Sequence, residues 1–434
     1  MSPRVAALYS AFQTGERWPA SRRLVGVVGR YALSALGPLS IAAAHFIAAL
    51  ILLHEMAPAA FGLFSFALVI VPFSMSACGA LMGAPLVQVV NRPDGIDAGE
   101  LGTYMKANLL YALIAGAAVF GFLLMSGADW SLAAFLGAYG AAMNLRWFGR
   151  IYAYCTHKPV RAVSSDLAYS LLLLAGLTLL YEMHGFTVHA AALAMLASSL
   201  VAFASFGWGY IALQARAIRD GSLKRYLSVW KEVTRWSFLG VVSTELTVNA
   251  HAYLVTFFSG PKAFALIAVG SLFMRPVSLA MTALPDVERP IMARDVANGK
   301  IAHALRTVKE FRTASTAIWL GTLALAAVVW IWFPHLILKP EYDAHQVLIV
   351  IVLWAGTMLA RSLRTPDSVL LQAAGEWRAL AAPSVRSSLV SLAATAALLF
   401  AFGPVASLGG ILLGDLVMSG SIFIIARKWK RDHA

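Results

Sequence analysis

Twelve apolar runs of about 20 residues, separated by short polar breaks, restrict the fold of this chain more than any other feature of its sequence. A helix needs about 20 apolar residues to cross the hydrocarbon core of a bilayer, and hydrocarbon admits only helices and closed barrels. The runs lack the two-residue alternation of barrel strands. The sequence therefore predicts an all-α, polytopic integral membrane protein. The predicted spans are 31–53, 61–86, 104–126, 130–153, 164–181, 188–212, 236–258, 263–284, 313–333, 346–364, 380–402 and 405–426.

The charged residues support this topology and orient it. Hydrophobic residues make up 60% of the chain and charged residues only 13%, a composition that excludes an ordinary soluble protein. Of the 34 Lys and Arg residues, all except Lys262, Lys339 and Arg275 fall on one predicted side of the membrane, as the positive-inside rule requires. We therefore expect both termini in the cytoplasm. The net charge of +13 indicates contact with phospholipid headgroups rather than with nucleic acid.

A short phrase occurs twice, as "PAAFGLF" at 58–64 and as "PKAFALI" at 261–267, with an interval of six predicted spans. The preceding stretches "AAAHFI" and "VNAHAY" also correspond and place His45 and His251 at matching positions. An interval of six spans gives both copies the same orientation in the membrane. We therefore predict two parallel six-helix lobes around a central cavity, with chance similarity between apolar segments as the alternative. The predicted divisions are a cytoplasmic tail at 1–29, an N-lobe at 30–213, a basic linker at 214–234, a C-lobe at 235–426 and a basic tail at 427–434.

No motif for catalysis or for binding a cofactor or metal is evident. The stretch "HEMAP" at 54–58 begins like a metalloprotease motif but lacks a second His, and the chain has no P-loop or nucleophile elbow. Cys78 and Cys155 lie in or beside predicted spans, where buried small apolar residues are expected. The predicted outer loops are too short to hold a catalytic domain. These observations favour a transporter over an enzyme, predict no cofactor and no metal site, and leave a scaffold role open.

Several motifs resemble those of the bacterial polysaccharide exporters and O-antigen flippases. The stretch "HEMAPAAFG" resembles their first turn, and "ERPIMARDVANG", with Pro290 and Gly299, resembles the end of their eighth helix. "KPEYDAH" and "LLQAAGEWR" are similar to two later motifs. The resemblance implies membership of the multidrug/oligosaccharidyl-lipid/polysaccharide (MOP) superfamily, with a MATE-like fold in the bacterial inner membrane. It also implies a flippase that moves an undecaprenyl-pyrophosphate-linked oligosaccharide by alternating access, with a cation-coupled multidrug exporter or a glycan-assembly scaffold as alternatives.

A lipid pyrophosphate must be shielded from hydrocarbon, and arginine suits this because its guanidinium binds phosphate in bidentate fashion and stays charged. Arg275 is the strongest candidate, because counting from Lys262 places it roughly 20 Å from the outer edge of its helix. Pro276 is expected to kink the helix there. Arg146 and Arg361 lie at similar depth, and the three form a predicted basic ring; each is alternatively a positive-inside anchor. Further predicted members toward the cytoplasm are Arg30, Arg150 and Arg364.

Buried acids are candidates for coupling transport to H⁺ or Na⁺. Glu245 lies near the midplane of the seventh span, with Asn249 and Tyr253 on the same helix face. We expect Glu245 either to carry a proton or to be neutralised by Arg275 from the adjacent helix. Asp415, in the last span, is a second candidate at similar depth.

His45 and His251, at matching positions of the repeat, are further candidates, because a free imidazole titrates near neutral pH. Hydrogen-bonded packing is the alternative role for both. The sequence leaves open which glycan is carried, whether H⁺ or Na⁺ drives the cycle, and whether the chain associates with glycan polymerase machinery.

Overall fold

The computed structural model describes residues 20–90, 96–156, 158–334 and 340–433, and in the first helix it describes side chains from Leu36 onward. These ranges are largely helical and contain no strand, which confirms the predicted all-α fold. Residues 1–19, Lys339 and the side chain of Arg30 lie outside the described part. The sixteen α-helices of the described ranges are α1 Ala20–Glu55, α2 Pro58–Cys78, α3 Ala84–Val90, α4 Ala98–Met125, α5 Trp130–Cys155, α6 Pro159–Glu182, α7 Val188–Ala204, α8 Trp208–Asp220, α9 Leu223–Val229, α10 Arg235–Ser259, α11 Pro261–Phe273, α12 Arg275–Ala297, α13 Ile301–Trp332, α14 Ala344–Ala373, α15 Trp377–Phe402 and α16 Ser407–His433.

Among the described residues, eight helices are long and apolar enough to cross a membrane. Two bent pairs, α7 with α8 and α11 with α12, raise the number to ten if each pair is one span. The remaining two predicted spans correspond to α5 and α10, which have 26 and 25 residues but fall outside this apolar set. These two helices carry the arginines Arg146 and Arg150 and the acid Glu245. The two helices that are too polar to belong to this apolar set, α5 and α10, therefore both carry predicted site residues.

The helix ends follow local signals in the sequence. Pro58 lies in the first turn of α2, where a proline loses no helical hydrogen bond. The carboxylate of Asp97 accepts a hydrogen bond from the Glu100 amide at 2.6 Å and caps α4. This bond holds the pKa of Asp97 below its ordinary value. Asp129 caps α5 in the same way, and its bond with the Ser131 hydroxyl lowers the pKa of its carboxyl group.

The helices pack as two groups. In the first, which we call the N-lobe, α1 packs against α6, α4 against α5, and α7 against both α5 and α6. In the second, the C-lobe, α16 packs against α14 and α15, α10 against α15, and α12 against α13 and α14. The lobes contact each other mainly through α2 and α11, with smaller contacts from α10 and from α1 to α12. The residue boundaries predicted for the lobes and the linker stay predictions.

The two copies of the repeated phrase contact each other where the lobes meet. Gly62 on α2 approaches Pro261 on α11 so closely that a Cβ atom on Gly62 would lie 1.9 Å from the Pro261 carbonyl oxygen. One helical turn further along α2, the fully buried Phe66 makes edge-on ring contacts. We call these contacts the hairpin seal, and the end of the bundle that carries them the hairpin end. Its aromatic members are Phe66, Tyr253, Phe257 and Phe264.

Candidate functional site

A cavity of about 180 Å³ lies between the lobes and adjoins the hairpin seal, since Phe264 belongs to both. Its walls come from α1 and α2 of the N-lobe and from α10, α11, α12 and α14 of the C-lobe. Within the described part of the chain, none of the lining residues is acidic. The cavity has room for a handful of water molecules and is far smaller than an oligosaccharide headgroup. Its polar lining residues are His45, Ser65, Asn249, His251, Ser271, Arg275, Ser278 and Arg361.

Arg275 lies at the sharpest break in the cavity wall. Helix α11 ends at Phe273, α12 begins at Arg275, and the two axes differ by 64°. Pro276 explains the break, because it has no amide hydrogen to donate and its ring blocks a continuous helix. Arg275 forms no ion pair or hydrogen bond with another described residue, and its buried Nε atom has no partner. A guanidinium without a counter-ion in a membrane interior is costly.

Arg361 also lines the cavity, but it is paired with an acid. Its Nε atom donates to Asp415 Oδ2 at 2.8 Å, and Nη1 of Arg364 donates to Asp415 Oδ1 at 2.6 Å. Asp415 is fully buried on α16, while both arginines lie on α14. One carboxylate therefore bridges two guanidinium groups, and the cluster keeps a formal charge of +1.

The N-lobe contains a cluster of the same kind. Arg146 and Arg150, both on α5, donate to the two carboxylate oxygens of Asp166 at 2.8 and 2.9 Å. Asp166 on α6 is fully buried, and Gly37 on α1 packs against it so closely that a Cβ atom there would lie 2.3 Å from Oδ2. The Arg146 guanidinium also lies over the ring of Tyr169, 4.9 Å from its centre. This cluster too keeps a formal charge of +1.

The predicted ring of three arginines is only partly present. Arg275 and Arg361 line the cavity, whereas Arg146 is fully buried inside the N-lobe and is not among the lining residues. The reason is Asp166, which draws both α5 arginines into the lobe. Hydropathy gave no weight to a single Asp within an otherwise apolar run, so the sequence analysis missed this residue.

Comparison with solved structures identifies this arrangement of helices. An inward-facing multidrug resistance MATE family transporter of the MOP superfamily superposes with a TM-score of 0.65 at 16% identity, over 93% of this chain and 95% of that chain. The lipid II flippase MurJ, in an inward closed conformation, gives 0.69 at 11% identity, over 91% and 87%. A MOP superfamily transporter from Pyrococcus furiosus with a binding pocket of reverse polarity gives 0.59 at 16% identity, over 96% and 99%. This chain has the MOP transporter fold.

These identities show the fold alone. No protein-family model matches the sequence, and no curated protein sequence matches it either. The chemistry of the cavity must therefore be argued from the residues of this chain.

The acids predicted for coupling have specific partners. Glu245 accepts hydrogen bonds from Asn249 Nδ2 at 3.1 Å and from Tyr253 OH at 2.7 Å, which places the three residues on one helix face as predicted. Arg275 does not pair with Glu245, so neutralisation by Arg275 is not what the structure shows. Asp415 is not an isolated acid but the bridging carboxylate of the α14 arginines.

His45 and His251 both line the cavity, one from each lobe. His45 Nε2 shares a hydrogen bond of 2.8 Å with the Tyr169 hydroxyl, which is also bonded to the Tyr139 hydroxyl at 2.8 Å. His251 packs edge-on against Trp354, and its buried Nδ1 atom has no partner among the described residues. The matching positions in the repeat therefore have different surroundings.

The sequence analysis also missed a third ionic cluster, which lies outside the cavity. Asp367 on α14 is buried and binds Arg312 of α13 and Lys430 of α16. It ties three C-lobe helices together on the far side of the cavity from the hairpin end. The described residues contain no group of three side chains suited to hold a metal ion.

Proposed function

We propose that this chain is a flippase that carries an undecaprenyl-pyrophosphate-linked oligosaccharide between the leaflets of a bacterial inner membrane by alternating access. The cargo serves the assembly of a surface polysaccharide, and no bond is made or broken during transport. Both termini face the cytoplasm in this proposal. The hairpin seal closes the outer side of the cavity, and cargo enters from the cytoplasmic side when the lobes separate there.

The unpaired Arg275 is the observation that carries the proposal. Its guanidinium faces a cavity between the lobes, and no described acid neutralises it. A phosphate group supplies the missing charge and accepts two parallel hydrogen bonds from one guanidinium. Arg361 contributes a second cationic group to the same wall, since its cluster with Asp415 keeps a net positive charge. The sugar residues would meet hydroxyl, amide and imidazole groups such as Asn249.

The charge of the cavity separates this proposal from its runner-up. A cation-coupled drug exporter binds cationic drugs and needs an acid exposed to its cargo. The described lining contains two arginines and no acid, which favours an anionic cargo. The proposal leaves open whether H⁺ or Na⁺ drives the cycle, and it includes an association with glycan polymerase machinery as a further expectation.

A transport assay in proteoliposomes tests the proposal directly. A fluorescent or radiolabelled undecaprenyl-pyrophosphate oligosaccharide is placed in one leaflet, and its arrival in the other is followed by accessibility to an impermeant glycosidase. We expect the cargo to cross chemically unchanged. A chemically altered product would indicate an enzyme, and transport of a cationic dye without lipid-linked glycan would favour the drug exporter. Absence of any transport by folded, reconstituted protein would favour a scaffold.

Substitution of Arg275 tests the site. Each hydrogen bond to a charged group is worth about 1.5–3 kcal/mol, so Arg275→Ala should slow transport roughly ten- to hundredfold. Arg275→Lys should restore part of the rate, because it keeps the charge but loses the bidentate geometry. Arg306→Ala is the matched control, since Arg306 is exposed on α13 and lies away from the cavity. Transport by Arg275→Ala at the rate of this control would remove Arg275 from the mechanism.

A further inference from the structure

The chain turns through a right angle where the seventh helix ends. Helix α7 ends at Ala204, Gly207 has a φ of +91°, and α8 runs from Trp208 at 89° to α7. A positive φ is readily adopted only by glycine, so Gly207 allows this turn. Because α7 belongs to the membrane-spanning bundle, a helix perpendicular to it lies parallel to the membrane plane. The predicted span 188–212 is therefore interrupted after Ala204, and with this geometry α8 would lie at the level of the lipid headgroups.

One face of α8 is fixed to the N-lobe. Tyr210 is buried against Phe206 and Tyr152, and Ala217 is buried against α4. A Cβ atom on Gly102 of α4 would lie 2.8 Å from the Ala217 carbonyl oxygen, so the two backbones are in direct contact. The residues that follow α8 form further hydrogen bonds with α4.

Those hydrogen bonds join the start of the linker to α4. The Ser222 amide donates to Thr103 Oγ1 at 3.2 Å, and Lys106 Nζ donates to the Gly221 carbonyl at 3.1 Å. Helix α8 therefore moves with the N-lobe as one body. After the short helix α9 the chain forms the π-helical turn Trp230–Thr234, and α10 then begins the C-lobe.

The opposite face of α8 is exposed and carries two arginines, with the exposed acid Asp220 at the C-terminal end of the helix. Trp208 and Arg219 are eleven residues apart, which returns a helix to nearly the same direction, and Arg216 flanks them. The Trp208 side chain is 80% exposed, and both arginines are exposed. Arg216 and Arg219 form no ion pair or hydrogen bond with another residue of the described ranges. This face points away from the helix bundle and is accessible to lipid headgroups and water at the membrane surface.

We propose that this face of α8 is a binding surface for anionic phospholipid headgroups. Tryptophan prefers the headgroup level of a bilayer, because its ring is apolar and its N–H group is polar. Arginines on the polar side of an interfacial helix attract anionic lipids and bind the phosphate group. A zwitterionic lipid offers a phosphate but no net charge to the surface. The expected occupant is therefore an anionic lipid such as phosphatidylglycerol.

Lipid bound at α8 holds the N-lobe in the plane of the membrane. The C-lobe follows it along the chain after the π-helical turn Trp230–Thr234, and such turns are frequent at functional sites. In this proposal the N-lobe stays anchored to the membrane surface while the C-lobe moves relative to it. This inference does not depend on the identity of the cargo.

Lipid binding can be measured without any transport assay. The full chain is reconstituted in nanodiscs of phosphatidylcholine containing phosphatidylglycerol, and the phosphatidylglycerol that stays bound after transfer to detergent is counted by native mass spectrometry. The test variant is Arg216→Gln/Arg219→Gln. The matched control is Arg306→Gln/Lys309→Gln, which removes the same charge from exposed positions on α13.

We expect the test variant to bind phosphatidylglycerol about thirtyfold more weakly, because each basic side chain near an anionic surface contributes about fivefold. Binding by the unchanged chain and by the control should weaken as salt is added, whereas the test variant should show little salt dependence. Equal melting temperatures in phosphatidylcholine alone exclude misfolding as the cause. Retention equal to that of the control, or equal loss in both variants, would overturn the proposal.

Discussion

Gly62→Ala tests whether the hairpin seal holds the lobes together. Gly62 lies on α2 where the repeated phrase of the N-lobe meets that of the C-lobe. A Cβ atom at this position would lie 1.9 Å from the carbonyl oxygen of Pro261 and 2.6 Å from its carbonyl carbon. Both atoms belong to backbone, so no side-chain rotation relieves the overlap. The lobes must separate locally, or the helices must shift.

The size of the effect follows from the distances. An ordinary contact at such a Cβ begins near 3.4 Å, so the gap of 1.9 Å must grow by about 1.5 Å. Overpacking of this kind typically costs about 1–3 kcal/mol. The strain exists only while the hairpin end is closed, because separation of the lobes removes the contact. The population of the form open at the hairpin end should therefore rise about 5- to 150-fold relative to the closed form.

Spin-label distance measurements can detect this shift. Labels are attached to Met183→Cys at the end of α6 and to Trp332→Cys at the end of α13, both exposed at the hairpin end and in different lobes. The two native cysteines are replaced by alanine. We expect Gly62→Ala to enrich the longer-distance population. The control is Gly121→Ala on α4, where an added Cβ atom meets nothing within 4 Å.

An unchanged distance distribution in a folded Gly62→Ala protein would refute the reasoning. So would an equal change in the Gly121→Ala control, because that would show a general response to a helical glycine substitution. A protein that loses the hairpin seal should still carry all three ionic clusters, since each lies within a single lobe. Its melting temperature in detergent separates a shift between two folded forms from a loss of folding.

Three further substitutions test other parts of the structure. Asp166→Asn leaves two buried guanidinium groups without their carboxylate and should destabilise the fold by about 3 kcal/mol or more, seen as a lower melting temperature; an unchanged value would contradict the bridging role. Pro276→Ala should allow a straighter helix, displace Arg275 from the cavity and reduce transport while the protein stays folded; wild-type transport would contradict it. Asp129→Ala should cost about 1 kcal/mol through loss of the helix cap. The pKa of Asp129 in the folded protein lies below its ordinary value, so the cap is fully effective above about pH 4 and weakens as the pH falls below this. The melting temperatures of the unchanged chain and of Asp129→Ala should therefore become equal only in acid.

The helical, membrane-spanning type of the fold was predictable because the hydrocarbon core selects for apolar length. The predicted bounds were less accurate at the end opposite the hairpin seal, where helices continue beyond the apolar run. Helix α13 begins at Ile301 rather than at 313, and α14 continues to Ala373 rather than to 364. Hydropathy reports where lipid contact ends, whereas helical hydrogen bonds continue into water. The break after Ala204 was missed because the residues of α8 are apolar enough to extend the run.

The pairing of charges was not predictable, because it depends on which helices become neighbours. Two arginines lie on the fourth predicted span of each lobe: Arg146 and Arg150 on α5, and Arg361 and Arg364 on α14. Their carboxylates do not correspond: Asp166 lies on the fifth span, and Asp415 on the last. The predicted repeat therefore matches the positions of the arginines but not those of the carboxylates that neutralise them.

This difference has a physical reason. Two guanidinium groups buried in a lobe require at least one carboxylate, because an uncompensated buried charge costs several kcal/mol. Any neighbouring helix that reaches the pair satisfies the requirement, so the carboxylate need not occupy a matching position of the repeat. Arg275 lies outside this rule, since it faces the cavity between the lobes rather than the interior of one. Among the described residues no acid pairs with Arg275, so the proposed anionic cargo would bring the counter-charge into the cavity itself.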